Sequence, residues 1–437
     1  MDIVGREHRI CQRWYVTALK KGSATITAKV GSKKYTCKVT VSENKTASTD
    51  PIELSLWVVG DPSAYDRAIE ELKAAYPNVT VTCKSYDNEY YKDMIRLQFM
   101  AGDLPDIFYT WSNAFLGDFV EMDGVYCPND VIKKYVANGD ITKVMLENTT
   151  YDGKYYGVPL SMNAVVMYTN TDLLKQAGVK SVPKTYDELI DCCDKLLAKG
   201  ITPFCCAGTE IWCITEYLES IIEKKIGADT LNKIFAGKAS FDNKGILESV
   251  DLFKSMIKKG YFNDDILNAD NGDISQRFIN GDYAFYINGS WNCGTFANNA
   301  EFASKVAIAE FPVIDSKSSK TGQLIGGPSD ALAISAWTKN PEVATEYAVA
   351  LGKLVSKYRY LSGDGLPTWK IGYDDSGVNS LTKEVAKMMA GANGLVLYGD
   401  TSLKADEKNI YLEYVEKILS DDIDGKAFTQ GLKKEIR

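Results

Sequence analysis

The hydrophobic pattern changes twice along the chain and divides it into three parts. Between residues 16 and 42, apolar and polar positions alternate in two short runs, one on each side of Gly31 and Ser32, which predicts a β-hairpin. Residues 43–51 are small and polar, as in a linker. From Ile52 onward, apolar runs alternate with segments of helical periodicity, which predicts βαβ units and a parallel sheet.

The clearest elements lie near the start of this third part. Apolar residues predict strands at 53–60, 79–83 and 106–109, with amphipathic helices between them. Further along, Thr185 and Glu188 have the spacing of a capping box, in which each side chain satisfies a free backbone N–H of the first helical turn. The pattern is therefore that of an α/β protein.

Length, charge and histidine content narrow the possible functions. The chain has 437 residues, enough for two or three domains. Its net charge of −8 argues against a nucleic-acid-binding surface, which would need a basic stripe. The only histidine is His8, so metal sites and triads that need two histidines are excluded. We find no nucleophile motif and no phosphate-binding loop, and we expect no catalytic residue, cofactor or metal. The acidic run 264–273 lacks EF-hand spacing and favours a solvated loop over a calcium site.

The cysteines and the N-terminus leave the compartment open. None of the ten cysteines forms a CxxC pair, and most lie in apolar runs, which favours buried free thiols over disulfides. Residues 1–13 are polar and lack the apolar core of a signal peptide. We therefore expect a chain that is truncated or that starts inside a longer parent.

Seven tryptophans suggest a ligand-binding surface. Trp57 and Trp337 lie within apolar periods and are expected in the core. The other four of interest come where predicted strands or loops end: Trp111, Trp212, Trp291 and Trp369. Ligands bind at the carboxyl ends of strands in open α/β sheets, and a flat aromatic face packs against the C–H face of a sugar ring. Ordinary half-buried tryptophans remain the alternative.

Two segments resemble known families. The hairpin resembles the last strands of bacterial immunoglobulin-like domains of group 2. Residues 52–437 resemble the extracellular solute-binding proteins of ABC importers, family 1, which includes many sugar-binding members. Five segments carry this second resemblance in order: AGDLPDIFY (101–109), DGKYYGVPLSMNAVVMYTNTDLLKQAG (152–178), VPKTYDEL (182–189), FINGDYAFYINGSW (278–291) and TKNPEVATEYAVAL (338–351). Tyr283 and Phe285 depart from the family pattern, which has a small residue and a methionine there.

The resemblance implies a two-lobe periplasmic-binding-protein-like α/β fold with a hinge, preceded by the β-hairpin remnant at 1–42. Lobe one would comprise 52–161 and 312–358, and lobe two 162–311 and 359–437. The family is not enzymatic. A member captures a carbohydrate outside the cell and delivers it to permease subunits. We therefore expect a monomeric lipoprotein at the extracellular face of the membrane, with no nucleic-acid partner.

The same resemblance places candidate ligand-binding residues in the cleft. They are Asp61, Trp111, Asn113, Asn163, Glu210, Trp212, Trp291, Asp330 and Trp369. Trp291 closes a specific motif, whereas the others are placed by position. We expect no arginine near these positions, which disfavours an anionic ligand. A non-sugar solute in the same fold and a carbohydrate-active surface enzyme remain open alternatives.

Overall fold

The computed structural model describes residues 22–30, 33–41 and 50–436, and the chain forms two compact units. The first unit contains the hairpin, in which β1 (Gly22–Val30) and β2 (Lys33–Val41) pair antiparallel, with Gly22 opposite Val41. The predicted hairpin is therefore confirmed. Its turn at 31–32 and linker residues 43–49 lie outside the described residues, and its immunoglobulin-like origin stays a prediction.

The second unit contains thirteen strands among the described residues. They are β3 (Ile52–Val59), β4 (Val79–Tyr86), β5 (Ile107–Trp111), β6 (Val125–Tyr126), β7 (Thr150–Tyr151), β8 (Lys154–Tyr155), β9 (Val158–Asn170), β10 (Thr202–Cys205), β11 (Tyr283–Gly289), β12 (Val306–Ala309), β13 (Gln323–Ser335), β14 (Leu366–Pro367) and β15 (Gly394–Val396).

Helices alternate with these strands along the chain. They are α1 (Ser63–Leu72), α2 (Asn88–Ala101), α3 (Ala114–Glu121), α4 (Asn129–Ala137), α5 (Thr171–Gln176), α6 (Tyr186–Leu197), α7 (Ile211–Ile226), α8 (Ala228–Phe235), α9 (Lys244–Lys258), α10 (Asn271–Asn280), α11 (Cys293–Asn298), α12 (Ala300–Ala303), α13 (Pro341–Ser362), α14 (Ser380–Ala390), α15 (Gly399–Ser402), α16 (Ala405–Leu419) and α17 (Gly425–Glu435). Two 3-10 helices cover Lys143–Thr149 and Ser290–Asn292.

One mixed sheet runs through the second unit in the order β10-β11-β9-β13-β5-β3-β4. The pairs β3–β5 and β10–β11 are parallel, as the βαβ pattern predicts. Strands β9 and β13, however, pair antiparallel with each other and with their other neighbours β11 and β5. The expectation of a purely parallel sheet is therefore wrong at its centre.

The two central strands pair with different neighbours along their lengths. The first half of β9 pairs with β13, and its second half pairs with β11 and β12. The last part of β13 pairs with β5 and β6, and its first part with β15. The register between β9 and β13 shifts around Asp330, which indicates a bulge at the middle of the crossing. The two halves of the sheet are thus joined by continuous strands.

Two long helices cover the sheet on either side of this crossing. Helix α13 packs against β9, β13 and α1, and it buries Tyr347, Leu351 and Val355 at helical spacing. Helix α7 packs against α9, α16, β11 and β13. Almost all of α7 is buried, including four charged side chains: Glu216, Glu219, Glu223 and Lys224. Charged residues are rarely buried without partners, so α7 is a candidate for function.

Several local expectations can be compared directly with the structure. The capping box of Thr185 and Glu188 is present at the start of α6. The described cysteines are free thiols, and six of them are buried: Cys192, Cys193, Cys205, Cys206, Cys213 and Cys293. Trp57 is partly buried, but Trp337 is 45% exposed, so its assignment to the core is wrong. Within the described ranges, the helices are too short or too polar to cross a membrane.

Candidate functional site

A cavity of about 470 Å³ lies where the central strands cross. Its wall includes the residues that follow β3, β5 and β11, and parts of α7 and α13. Six of the nine sequence-predicted residues line it: Asp61, Trp111, Asn163, Trp212, Trp291 and Asp330. The structure therefore brings together residues that are separated by up to 269 positions in sequence (330 − 61).

The other three predicted residues do not line the cavity. Asn113 precedes α3 and donates from Nδ2 to Ser402 Oγ at 3.1 Å. The carboxylate of Glu210 accepts the backbone N–H of Asn271 at 3.0 Å, at the start of α10. The ring of Trp369 is 4% exposed, and its Nε1 donates to the carbonyl of Pro159 at 2.7 Å. For these three residues, ligand binding remains a prediction.

Aromatic rings form one side of the cavity. The rings of Trp212 and Trp291 have centroids 5.9 Å apart, and Tyr398 lies 6.2 Å from Trp291. Trp291 belongs to the 3-10 helix that follows β11, and its ring fills the space where a Cβ of Gly289 would lie. Trp111 ends β5 and packs edge-on against Tyr109 at 5.0 Å. The tryptophans therefore present a partly buried aromatic surface to the cavity.

Three of the polar groups in the lining have no hydrogen-bond partner among the residues that the structure describes. They are Nε1 of Trp212, both carboxyl oxygens of Glu216 and the hydroxyl of Tyr398, all of them buried. Buried polar groups are almost always hydrogen-bonded in native proteins. A donor, a carboxyl group and a hydroxyl that lie together without partners therefore indicate that a ligand or water completes their hydrogen bonds.

A second polar cluster surrounds Asp330 at the bulge of β13. Its Oδ2 accepts hydrogen bonds from Ser161 Oγ at 2.7 Å, Asn163 Nδ2 at 3.2 Å and Arg359 at 2.8 Å. Its Oδ1 accepts from Ser329 Oγ at 2.8 Å. The acidic side chain is 8% exposed, so the ion pair with Arg359 compensates a largely buried charge.

Arg359 and Arg67 both line the cavity, so the expectation that no arginine lies near the site is wrong. Arg359 lies in the last turn of α13, and its guanidinium donates a hydrogen bond to Asp330 Oδ2. Because Asp330 already neutralises Arg359, that guanidinium is not a free anion-binding group.

The acidic groups of the site differ in their proton affinity. Hydrogen bonds from Ser63 lower the pKa of Asp61. Burial, together with the charges of Glu219 and Asp400, raises the pKa of Glu216 well above the usual carboxyl range. Burial and Asp400 raise the pKa of Glu219 to about 8. One cavity thus combines an ionised exposed carboxylate with a buried carboxyl that favours its proton.

Sequence reasoning missed several residues that line the cavity: Lys92, Glu216, Arg359, Asp364, Tyr398 and Asp400. Glu216 and Arg359 lie inside helices without a local motif. The available signal was the run of charged residues in α7, which is otherwise apolar enough to be buried.

The described residues contain no group of three or more histidine, cysteine or acidic side chains placed to hold a metal ion. In the acidic run, Asp265 instead pairs with Arg277 at 2.7 Å and accepts a hydrogen bond from Asn263.

Comparison with known proteins places the chain among binding proteins. The profile of the family described as bacterial extracellular solute-binding protein matches residues 58–353. The chain is 26% identical over 292 residues to the "Multiple sugar-binding protein" of Streptococcus mutans, covering 63% of this chain and 64% of that protein. It is 25% identical over 343 residues to the "Galactooligosaccharide-binding protein" of Bacillus subtilis, covering 75% and 76%. The chain thus spans less than two thirds of the length of the Streptococcus protein.

Solved structures share the fold over most of the chain. One, from work on xylan utilization by the thermophilic bacterium Caldanaerobius polysaccharolyticus, is 28% identical with a TM-score of 0.84 and covers 88% of this chain and 100% of that chain. A chitin oligosaccharide binding protein is 21% identical with a TM-score of 0.80 and covers 88% and 98%. At 21% identity, the similarity to this second structure concerns the fold alone.

Proposed function

Because the chain belongs to the bacterial extracellular solute-binding protein family, we propose that it captures a carbohydrate in its cavity for an ABC importer. The ligand would be an oligosaccharide, and the partners would be permease subunits. The protein would act as a monomeric lipoprotein at the extracellular face of the membrane. The names of two relatives, a multiple sugar-binding protein and a galactooligosaccharide-binding protein, support a carbohydrate over other solutes.

The observation that carries this proposal is the set of unpartnered polar groups beside the tryptophan rings. Trp212 supplies a free N–H, Tyr398 a free hydroxyl and Glu216 a free carboxyl. A sugar presents hydroxyl groups that donate and accept at its edge, and C–H groups on its faces. The edge groups would satisfy these side chains while a face packs against an indole ring.

The charges of the lining support an uncharged ligand. Arg359 is neutralised by Asp330, and Lys92 lies 3.8 Å from Asp400. Arg359 and Lys92 are therefore not free to bind an anion. The third cation of the lining, Arg67, lies over the ring of Tyr358 at 4.2 Å. A cationic solute is the second candidate, favoured by the unpaired carboxyl of Glu216 and by the neighbouring aromatic rings.

We propose that the lobes divide at 52–161 with 312–358 and at 162–311 with 359–437. Asp61 and Trp111 then belong to lobe one, and Trp212 and Trp291 to lobe two. A ligand that contacts both sets stabilises the closed arrangement by its differential affinity. Strand β9 would form part of the hinge, since it crosses from lobe one to lobe two between residues 161 and 162, pairing with β13 around that point and with β11 further along.

A panel of neutral mono- and oligosaccharides tests the proposal, with aryl glycosides and polyamines included to test the alternatives. Binding to the folded state raises the melting temperature, by an amount equivalent to about 2.7 kcal/mol at a hundred times Kd. We expect a rise with at least one oligosaccharide and no product after prolonged incubation. Release of a chromogen from aryl glycosides would instead support the enzyme alternative, and a rise only with polyamines would support the cationic solute.

The substitution Trp291→Ala tests the position of the site. We expect the affinity for the sugar found in the panel to fall by about 1–3 kcal/mol, measured by titration calorimetry, because an aromatic anchor is lost. Trp337→Ala is the matched control, since that ring is exposed and packs on Phe99 rather than on the cavity. If Trp291→Ala binds like the control, the site is misplaced.

A further inference from the structure

Glu216 occupies an unusual position for a carboxyl group. It lies on the buried helix α7, is 2% exposed and lines the cavity. In the described part of the chain, neither of its oxygens has a hydrogen-bond partner. Burying an ionised carboxylate without a partner carries a penalty large enough that such groups usually take up a proton instead. The geometry alone therefore favours a neutral acid that faces the ligand.

The acidic groups around Glu216 also favour its neutral, protonated form. Glu219, one turn further along α7, is buried and accepts hydrogen bonds from the backbone of Gly399 and from Tyr411. Asp400 follows on α15, and its ion-pair partner is Lys92. Within the described residues, Glu216 itself has no ion-pair partner. Burial, then Glu219 and Asp400, raise the pKa of Glu216 well above its usual range.

Of the cations in the same lining, Lys92 pairs with Glu89 and Asp400. Arg359 pairs with Asp330, and Arg67 lies over the ring of Tyr358. The other titratable neighbours of Glu216 do not supply a positive charge. They are thiols and phenols from the surrounding strands, helix and loop: Tyr168, Cys206, Cys213, Tyr286 and Tyr398. Burial raises the pKa of each of these groups well above its usual value, so they stay neutral near pH 7. No neighbour on these elements therefore compensates an ionised Glu216.

We propose that Glu216 is a specificity-determining residue that binds the ligand as a neutral carboxylic acid, donating a hydrogen bond to one ligand oxygen and accepting one from a ligand hydroxyl. This inference rests on the proposed capture of a carbohydrate. It deepens that proposal, because a neutral acid close to the acidic groups of Glu219 and Asp400 selects an uncharged sugar. A carboxylate on an acidic sugar would meet two acidic neighbours at this position.

The first test needs no ligand and compares the wild type with Glu216→Gln. Above the ordinary carboxyl pKa of about 4.3, the unfolded chain releases the Glu216 proton while the folded protein keeps it. The unfolding free energy of the wild type therefore falls as pH rises toward the raised folded pKa. The side chain in Glu216→Gln does not titrate, so the variant lacks this pH dependence. Glu219 is present in both proteins, so its own titration contributes to both.

We expect the melting temperature of Glu216→Gln to exceed that of the wild type by a margin that grows from pH 5 to pH 8. Glu53→Gln, at an exposed position of β3, is the control and should show a constant difference. A margin for Glu216→Gln that stays constant over this range would overturn the proposal, because it would mean that both states lose the proton together.

The second test measures binding of the neutral oligosaccharide that gives the largest melting-temperature rise in the panel. Glu216→Gln keeps a donor and an acceptor, so its Kd should stay within about threefold of the wild type. Glu216→Leu removes both and should weaken binding about tenfold or more, the equivalent of a lost hydrogen bond. If Glu216→Gln loses as much affinity as Glu216→Leu, the ligand needs a carboxylate and the proposal is wrong.

Calorimetry on the wild type adds a measurement that needs no variant. At pH 7 the binding enthalpy should be the same in phosphate and in Tris, whose ionisation enthalpies differ, because a neutral acid exchanges no proton on binding a neutral sugar. A buffer-dependent enthalpy would contradict the proposal. If no panel sugar binds, the proposed function fails, whereas the ligand-free pH dependence still decides the protonation of Glu216.

Discussion

Position 289 has no room for a side chain, because the ring of Trp291 occupies the space where a Cβ would lie. A Cβ built on Gly289 would lie 2.2 Å from three atoms of the indole ring. The backbone there has φ −71°, which any residue can adopt, so the requirement for glycine comes from contact with the ring alone. The G-x-W segment that carries the family resemblance thus has a physical role, since its glycine lets the aromatic ring lie flat against the strand end.

Gly289→Ala should therefore move the Trp291 ring without disturbing the backbone. We expect the sugar affinity to fall about as much as in Trp291→Ala, by about 1–3 kcal/mol, as measured by titration calorimetry. Gly372→Ala is the control, because nothing lies within 4 Å of its added Cβ. Unchanged affinity in Gly289→Ala would show that the ring does not need its present position.

At the residue scale, the sequence predicts part of the site and misses the rest for a clear reason. Trp291 and Asn163 belong to segments that resemble the family and are found in the lining. Arg359 acquires its role only through Asp330, 29 residues away, and Ser161, 198 residues away. Trp369 has the local pattern of a loop-end tryptophan, yet its indole donates to a backbone carbonyl 210 residues away. Contacts of this range are not encoded in local periodicity.

At the scale of elements, periodicity predicted the outer strands, but the parallel direction expected for the whole sheet was wrong for the central strands. Strands β9 and β13 are buried along nearly their whole length, so their residues do not alternate between apolar and polar. A continuous apolar run indicates burial but carries no information about strand direction. The capping box of α6, in contrast, depends on residues three apart and was predicted correctly.

The closest approach of the two central strands depends on Gly326. It has φ 138°, and an added Cβ would lie 2.2 Å from the carbonyl oxygen of Asn163 on β9. Gly326→Ala should therefore lower the unfolding free energy by about 1–3 kcal/mol for backbone strain and about 1–3 kcal/mol for overlap. Denaturant titration measures this loss, with Gly377→Ala as the control at an open position. Equal denaturation midpoints for Gly326→Ala and Gly377→Ala would contradict the close packing of β13 against β9 at Gly326.

At the scale of the whole second unit, polar contacts join the region of α2 and α3 to that of α15 and α16. Nδ2 of Asn113 donates to Ser402, and Lys404 lies 3.1 Å from Glu121. We propose that these segments belong to different lobes, so the contacts would form only when the cavity is closed. Asn113, which does not line the cavity, would then act in closure through its hydrogen bond to Ser402.

The double variant Ser402→Ala with Lys404→Met should shift the balance toward the open form. The hydrogen bond contributes about 0.5–1.5 kcal/mol and the exposed ion pair about 0–1 kcal/mol. We expect the sugar Kd to rise about three- to tenfold, and small-angle scattering to show a larger radius of gyration. Lys417→Met is the control, because it breaks an ion pair within α16 only. An unchanged Kd would mean that these contacts do not bias closure.

The pairing of Trp212 with Trp291 has an optical consequence. Two indoles with centroids 5.9 Å apart and ring planes at 67° are close enough for their excited states to mix. Such coupling gives paired circular dichroism bands of opposite sign, whose intensity depends on the angle between the rings. A ligand that packs against either indole changes this angle. The ultraviolet circular dichroism of the unlabelled protein therefore measures ligand binding.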